Sequence, residues 1–126
     1  MNGTYQNIDC MELMATLKDK EIDLAIVDPP YGIGESSNSK QGKKGKNAKC
    51  QSRAYGKKEW DDLPCDNNYF SELFRVSKNQ IVWGVNYFAD PRLCGGRIFW
   101  DKEVPEYYTK SKGELAYRST GVGVHY

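Results

Sequence analysis

Residues 22–31 read IDLAIVDPPY, an apolar run that ends on two adjacent prolines. Leu24 to Val27 follow one another without polar alternation, which is typical of a strand buried on both faces of a parallel sheet. Two prolines cannot continue a buried hydrogen-bond ladder, so the strand must end at Val27. Asp28 is therefore predicted to lie immediately beyond the carboxyl end of this strand.

Helices and strands are predicted to alternate on both sides of this stretch. A helix from Cys10 to about Lys18 should be capped by Asp9, with Glu12 in the capping-box position, and Asp66 should cap a second helix from Asn67 to Ser77. Further strands are predicted over Tyr5–Ile8, Gln80–Val85, Arg97–Trp100 and, more weakly, Glu114–Arg118. The fold class that follows is α/β, with an open and mostly parallel sheet.

Charge is divided unevenly along the 126 residues, although the net charge is only +1. The segment 36–58 holds eight basic residues and no acidic ones, so the remaining ten basic and seventeen acidic residues carry a net charge of −7. A long basic loop directly after the predicted strand favours contact with a polyanion over a merely solvated loop. The candidates for binding DNA or another polyanion are Lys40, Lys43, Lys44, Lys46, Lys49, Arg53, Lys57 and Lys58.

The four cysteines and the single histidine argue against a metal centre. Cys10, Cys50, Cys65 and Cys94 include no CxxC pair, and His125 lies next to the last residue of the sequence. We therefore expect no metal, and we interpret the cysteines as reduced thiols of a cytoplasmic protein. The sequence contains no signal-peptide pattern and no apolar run of about 18 residues, so no membrane partner is expected.

The turn after the strand combines groups suited to holding an amino group. The Asp28 carboxylate and the Pro29 carbonyl can form a rigid pair of acceptors, since proline has a carbonyl but no N–H and its ring restrains the backbone. Tyr31 offers an aromatic face on which a base taken out of the helix can stack. Acceptors that bind both amino hydrogens free the nitrogen lone pair for in-line attack on a methyl group. The alternative is an ordinary Pro-Pro turn.

This motif resembles the catalytic motif of the amino-directed DNA methyltransferases, which transfer methyl from S-adenosylmethionine to adenine or cytosine. The match spans Asp28-Pro29-Pro30-Tyr31-Gly32-Ile33. It extends over nearly the whole chain outside the basic loop, in the pattern of the subgroup whose catalytic region precedes its cofactor region. The matching segments are residues 7–10 (NIDC), 70–72 (FSE), 75–84 (RVSKNQIVWG), 86–88 (NYF), 100–102 (WDK) and 114–117 (ELAY).

The resemblance implies a partial Rossmann-like methyltransferase sheet and assigns roles to individual residues. Asp28, Pro29, Pro30 and Tyr31 would be catalytic, and an aspartate at the first motif position favours adenine over cytosine. Asp9 and Cys10, together with Asp28, would contact the cofactor, although a helix N-cap explains Asp9 equally well. The aromatic candidates for a base pocket, for each of which core packing is the simpler explanation, are Trp83, Trp100, Tyr107 and Tyr117.

The glycine-rich turn with which this family binds its cofactor is absent from the sequence. Residues 1–126 are therefore expected to be the catalytic part of a methyltransferase domain that lacks its cofactor half. Such a chain should not methylate DNA alone, and it should pair with a complementary chain or self-associate through an exposed apolar edge. Two alternatives remain open: a non-catalytic DNA-binding remnant, and an unrelated nucleic-acid-binding module.

Overall fold

The computed structural model describes residues 3–33, 63–107, 111–121 and 123–125. The predicted basic loop, with all eight of its candidate DNA-binding residues, lies outside these ranges. The described elements are the helices α1 (Cys10–Thr16) and α2 (Asn67–Val76), the 3₁₀ turns Val85–Tyr87 and Pro91–Leu93, and the strands β1 (Ile22–Val27), β2 (Ser77–Trp83), β3 (Gly96–Asp101), β4 (Gly113–Arg118) and β5 (Val124–His125). Residues 5–8, predicted as a strand, form no regular structure.

The strands form one mixed sheet in the order β1-β2-β4-β3-β5. Among the four longer strands, β1 and β2 are parallel, whereas β4 runs antiparallel to both β2 and β3. The two-residue strand β5 pairs in parallel with β3 at the sheet edge. The α/β class is thus confirmed, but the prediction of a mostly parallel sheet is wrong. Eleven residues separate β3 from β4, and this is short for a parallel crossover, which needs about a dozen residues or more.

Both helices begin where the sequence predicted, at aspartate caps. The Asp9 carboxylate accepts from the N–H groups of Met11 and Glu12, and Asp66 accepts from that of Tyr69. These bonds satisfy amides that have no partner within the helix. With seven and ten residues, α1 and α2 include no helix long and apolar enough to cross a membrane in the described part of the chain.

Arg75 joins the two helices at their carboxyl-terminal ends. Its guanidinium donates to the carbonyls of Met14 and Leu17 at 2.9 Å each, and it also pairs with Asp19 and Glu72. The Met14 carbonyl also accepts from the N–H of Leu17, whereas the Leu17 carbonyl lies beyond the last turn of α1. One side chain from α2 therefore ties α1 to the layer that covers the sheet.

The hydrophobic core lies between these helices and one face of the sheet. Val82 and Tyr117 contribute from the strands, while Phe70, Leu73 and Val76 contribute from α2. Ala25 and Val27 pack against this core from β1. The burial of one helical stripe against alternate strand residues is the usual arrangement for an α/β layer.

The opposite sheet face remains open over β1. Leu24 and Ile26 alternate with the core-facing residues of that strand and are 48% and 61% exposed. The prediction that this strand is buried on both faces is therefore wrong for the described residues. Because β1 is also an edge strand of the described sheet, it combines an apolar exposed face with an edge that no other described strand pairs, as expected of a surface that invites association.

Leu73→Ala should lower the free energy of unfolding by about 2–5 kcal/mol, because it leaves a cavity in the core. Leu73 is 2% exposed and contributes to the core cluster. The matched control is Leu63→Ala, at a residue that is 78% exposed, which should change stability by no more than about 0.5 kcal/mol. Urea unfolding followed by circular dichroism measures both, and equal effects would mean that this core is incorrectly placed.

Candidate functional site at the carboxyl end of the sheet

The ends of four strands meet at one edge of the sheet. The parallel strands β1 and β2 end here, and β3 runs in the same direction because β4 is antiparallel to both of its neighbours. The antiparallel β4 therefore begins at this edge, with Gly113 opposite Asp101. The carboxyl ends of strands are where open α/β sheets bind ligands. Asp28, Gly84, Lys102 and Glu114 directly follow or begin these strands.

Asp28 follows β1 directly, as predicted, and its side chain is exposed. The Tyr31 hydroxyl donates a hydrogen bond to Asp28 Oδ1. Burial raises the pKa of Tyr31, and so does its hydrogen bond to Asp28, so that the phenol remains a donor at neutral pH. Pro29 is buried and Pro30 half-buried beneath this pair. The carboxylate is thus already accepting a hydrogen bond from within the turn.

The Tyr31 ring is packed among groups that follow β2. It stacks on Tyr87, with ring centroids 4.7 Å apart and planes inclined by 12°, and the edge of Phe88 approaches it at 6.0 Å. These are favourable geometries for aromatic pairs. Tyr87 therefore occupies one face of the ring that the sequence assigned to stacking on a base.

Gly84 allows the Tyr31 ring to approach the backbone after β2. Its φ of 69° lies in the left-handed region, and a Cβ built there would overlap the Tyr31 ring. The Gly84 N–H donates to the carbonyl of Leu115 at 2.9 Å. A glycine meets both requirements, because it has no Cβ and adopts positive φ without strain.

Described residues that precede and follow the predicted basic loop meet beside Asp28. Tyr31 forms an isolated antiparallel bridge with Pro64. Gly32, with φ of 70°, is so close to Pro64 that a Cβ would lie 2.5 Å from the proline ring. Residues 31–32 and 64, on either side of the undescribed range 34–62, therefore both lie at the candidate site.

A second group at this edge contains Lys102 and Glu114, which were not assigned a role from the sequence. Lys102 forms an ion pair with Glu114 and lies 5.6 Å from the centre of the Trp100 ring, which is itself 53% exposed. Trp83 meets Trp100 edge to face at 6.1 Å. Glu114 is close enough to Tyr31 to help raise the pKa of that phenol. Three of these residues, Trp100, Lys102 and Glu114, lie in the matched segments WDK and ELAY. The two segments are brought together only by the register between β3 and β4.

The remaining predicted residues divide between this edge and the rest of the fold. Cys10 begins α1. Burial raises the pKa of Cys65 to about 11, and Cys10 and Asp66 are close enough to Cys65 to raise it further. Because Cys65 follows Pro64, Cys10 belongs to the same end of the molecule as Tyr31. The Asp9 carboxylate is engaged as the α1 cap.

The four aromatic candidates for a base pocket are not brought together. Tyr117 packs in the core beside Phe74, as the simpler explanation predicted. Trp100 and Tyr107 are exposed, so the prediction that they pack in the core is wrong for these two residues. Trp83 is half-buried against Trp100.

Comparison with family models, with curated proteins and with solved structures gave no match for this chain.

Gly84→Ala should destabilise the protein more than the same change at Gly123. Both glycines have positive φ, but a Cβ at Gly123 meets nothing within 4 Å, whereas one at Gly84 overlaps Tyr31. The left-handed conformation alone costs an alanine about 1–2 kcal/mol, and the overlap adds to this at Gly84 only. Urea denaturation of both variants measures the difference, and equal losses would contradict the packing of Tyr31 against Gly84.

Proposed function

We propose that the turn at Asp28 binds the exocyclic amino group of a nucleobase, with adenine favoured, and that the chain is the catalytic part of an S-adenosylmethionine-dependent DNA methyltransferase. One observation carries the proposal. An exposed carboxylate lies directly beyond a strand at the carboxyl edge of the sheet and already accepts a hydrogen bond there. An acceptor in this position suits a ligand that offers N–H donors.

The residues of the turn supply acceptors and orientation. The Asp28 carboxylate and the Pro29 carbonyl accept the two amino hydrogens, which leaves the nitrogen lone pair free to point at an electrophile. Groups that are already oriented need no rearrangement as charge develops, so they act mainly through positioning and electrostatics. The new N–C bond would form as the methyl–sulfur bond of the donor breaks and its sulfur leaves as a neutral thioether. The amino proton would then be lost from the methylated nitrogen to solvent, so Asp28 is not required to remove it beforehand.

S-adenosylmethionine would supply an electrophilic methyl group bound to a sulfonium. The proposal assigns its contacts to Asp9, Cys10 and Asp28. Support comes from the location of Cys10 near Cys65, which follows the Pro64 bridge to Tyr31. Asp9 already accepts two backbone N–H groups, at 2.7 and 3.4 Å, and a carboxylate can accept about four hydrogen bonds, so that its role as a cap leaves capacity for a ligand.

The Rossmann-like part of the proposal rests on the β1–α2–β2 unit. Its two strands are parallel, α2 crosses over one sheet face, and the candidate turn follows the first strand. This is the arrangement in which α/β proteins place ligand-binding turns. The exposed Leu24 and Ile26 on β1 also support the proposal that a complementary chain, or a second copy, completes the sheet.

DNA is the proposed partner of the basic segment 36–58. The bridge between Tyr31 and Pro64 supports this assignment, because it places described residues that precede and follow the segment at the candidate site. Eight basic residues and no acidic ones in one segment of a chain with a net charge of only +1 suit contact with a phosphate backbone.

Asp28→Ala should greatly reduce the discrimination between adenine and purine, which lacks the 6-amino group, in otherwise identical single-stranded oligonucleotides, so that only the contribution of the Pro29 carbonyl remains. The wild-type protein should bind the adenine strand about tenfold more tightly, because a hydrogen bond to a charged group contributes about 1.5–3 kcal/mol and exposure reduces that value. Fluorescence anisotropy measures both affinities. A strand with one cytosine and its counterpart without the 4-amino group test the cytosine alternative.

The matched control for this test is Asp23→Ala. Asp23 lies near the start of β1, at the opposite end of that strand from Asp28, and pairs there with Lys78 at 2.6 Å. The Asp23→Ala substitution removes the same charge without changing the candidate site. The preference of this variant for adenine over purine should therefore equal that of the wild type. A wild-type protein that binds the adenine and purine strands equally would refute amino-group recognition.

Replacing Lys43, Lys44 and Lys46 with Gln should weaken duplex binding and reduce its salt dependence. The slope of log affinity against log salt should fall by about 0.9 for each phosphate that is no longer neutralised, and sequence preference should hardly change, since phosphate contacts carry no sequence information. Lys18→Gln with Lys78→Gln is the control, because Lys78 is the second residue of β2, at the other end of the sheet. Anisotropy titrations over a range of salt measure the slopes, and an unchanged slope would exclude the loop as the DNA contact.

A further inference from the structure

The hydrogen bond between Tyr31 and Asp28 joins a restrained side chain to an exposed one. The Asp28 carboxylate lies on a turn, is open to solvent, and has Tyr31 as its hydrogen-bond donor. Tyr31, by contrast, is held by the stack on Tyr87, by the edge of Phe88 and by its close approach to Gly84. The phenol therefore restricts where the carboxylate can point, and the carboxylate does little to restrict the phenol.

The bond also leaves acceptor capacity on the carboxylate. A carboxylate has two oxygens and about four lone-pair sites, of which the Tyr31 O–H takes one on Oδ1. An amino group of a base needs one acceptor from Asp28, and Oδ2 can provide it. The phenol and the target amino group are therefore compatible ligands of the same carboxylate.

From this geometry we infer that Tyr31 is a positioning residue, whose hydroxyl orients Asp28 so that Oδ2 is held for the amino group of the base. The inference rests on the proposed function and adds to it a role for one named atom. It differs from the role assigned from the sequence, in which the ring face stacks on the base and the hydroxyl is secondary. Tyr87 already covers one face of that ring.

Binding of the adenine and purine strands by Tyr31→Phe separates the two roles. The variant keeps the ring, and with it any stacking on the base. Its affinity for the purine strand should therefore stay within about twofold of the wild-type value. The preference for adenine over purine should fall by about three- to tenfold, the range expected for one hydrogen bond. A loss of fold would instead lower both affinities together.

Two further variants complete the experiment. Tyr5→Phe removes the same atom from an exposed ring in the amino-terminal segment and should leave the adenine preference unchanged. In an Asp28→Ala background, Tyr31→Phe should cause no further loss of preference, because the hydroxyl acts through that carboxylate; this comparison forms a double-mutant cycle.

The outcomes are distinguishable. A wild-type preference for adenine that Tyr31→Phe retains in full would overturn the positioning role and leave the proposed function standing. The positioning role would also be overturned, with the proposed function left standing, if Tyr31→Phe lowered the adenine preference by the same factor in the wild-type and Asp28→Ala backgrounds. A wild-type protein with no adenine preference would overturn the proposed function and this inference together.

Discussion

The parallel register between β1 and β2 is the constraint on which the candidate site depends. It sets Val27 opposite Val82, so the turn that begins at Asp28 emerges beside the turn that begins at Gly84. From that juxtaposition follow the contact of Tyr31 with Gly84, its stack on Tyr87 and the location of its hydroxyl at Asp28. A shift by one residue would move the apolar residues of β1 to the other face of the sheet and would separate the two turns.

Local sequence patterns correctly predicted the boundaries that are set by prolines or by helix-capping residues. Two prolines ended β1 at Val27, and the aspartate caps placed the starts of α1 and α2. The start of β2 was missed by three residues, because α2 passes directly into the strand at Ser77 without a loop. Ser77 looks polar in the sequence, yet it is buried and donates to the carbonyl of Leu73.

Sheet order and strand direction could not be read from local pattern. Alternating helices and strands suggested a mostly parallel sheet, but β4 inserts antiparallel between β2 and β3 after a short connection. The same limit applies to the site. Asp28 and Tyr31 were identified from their own turn, whereas Gly84, Tyr87 and the Lys102–Glu114 pair join them through strand pairing alone. The hydroxyl contact of Tyr31 lies within that turn, but the ring is held by Gly84 and Tyr87 from the next turn, which is why the sequence suggested a stacking role instead.

The central claim is that Asp28 accepts a hydrogen bond from the exocyclic amino group of a target base. The most direct measurement is NMR of an oligonucleotide whose single adenine carries ¹⁵N in that amino group. On binding the wild-type protein, the amino proton resonances should move downfield, as expected for a hydrogen bond to a carboxylate, and they should not do so with Asp28→Ala. Amino resonances that stay unchanged when the wild-type protein is saturated with this strand would contradict the account.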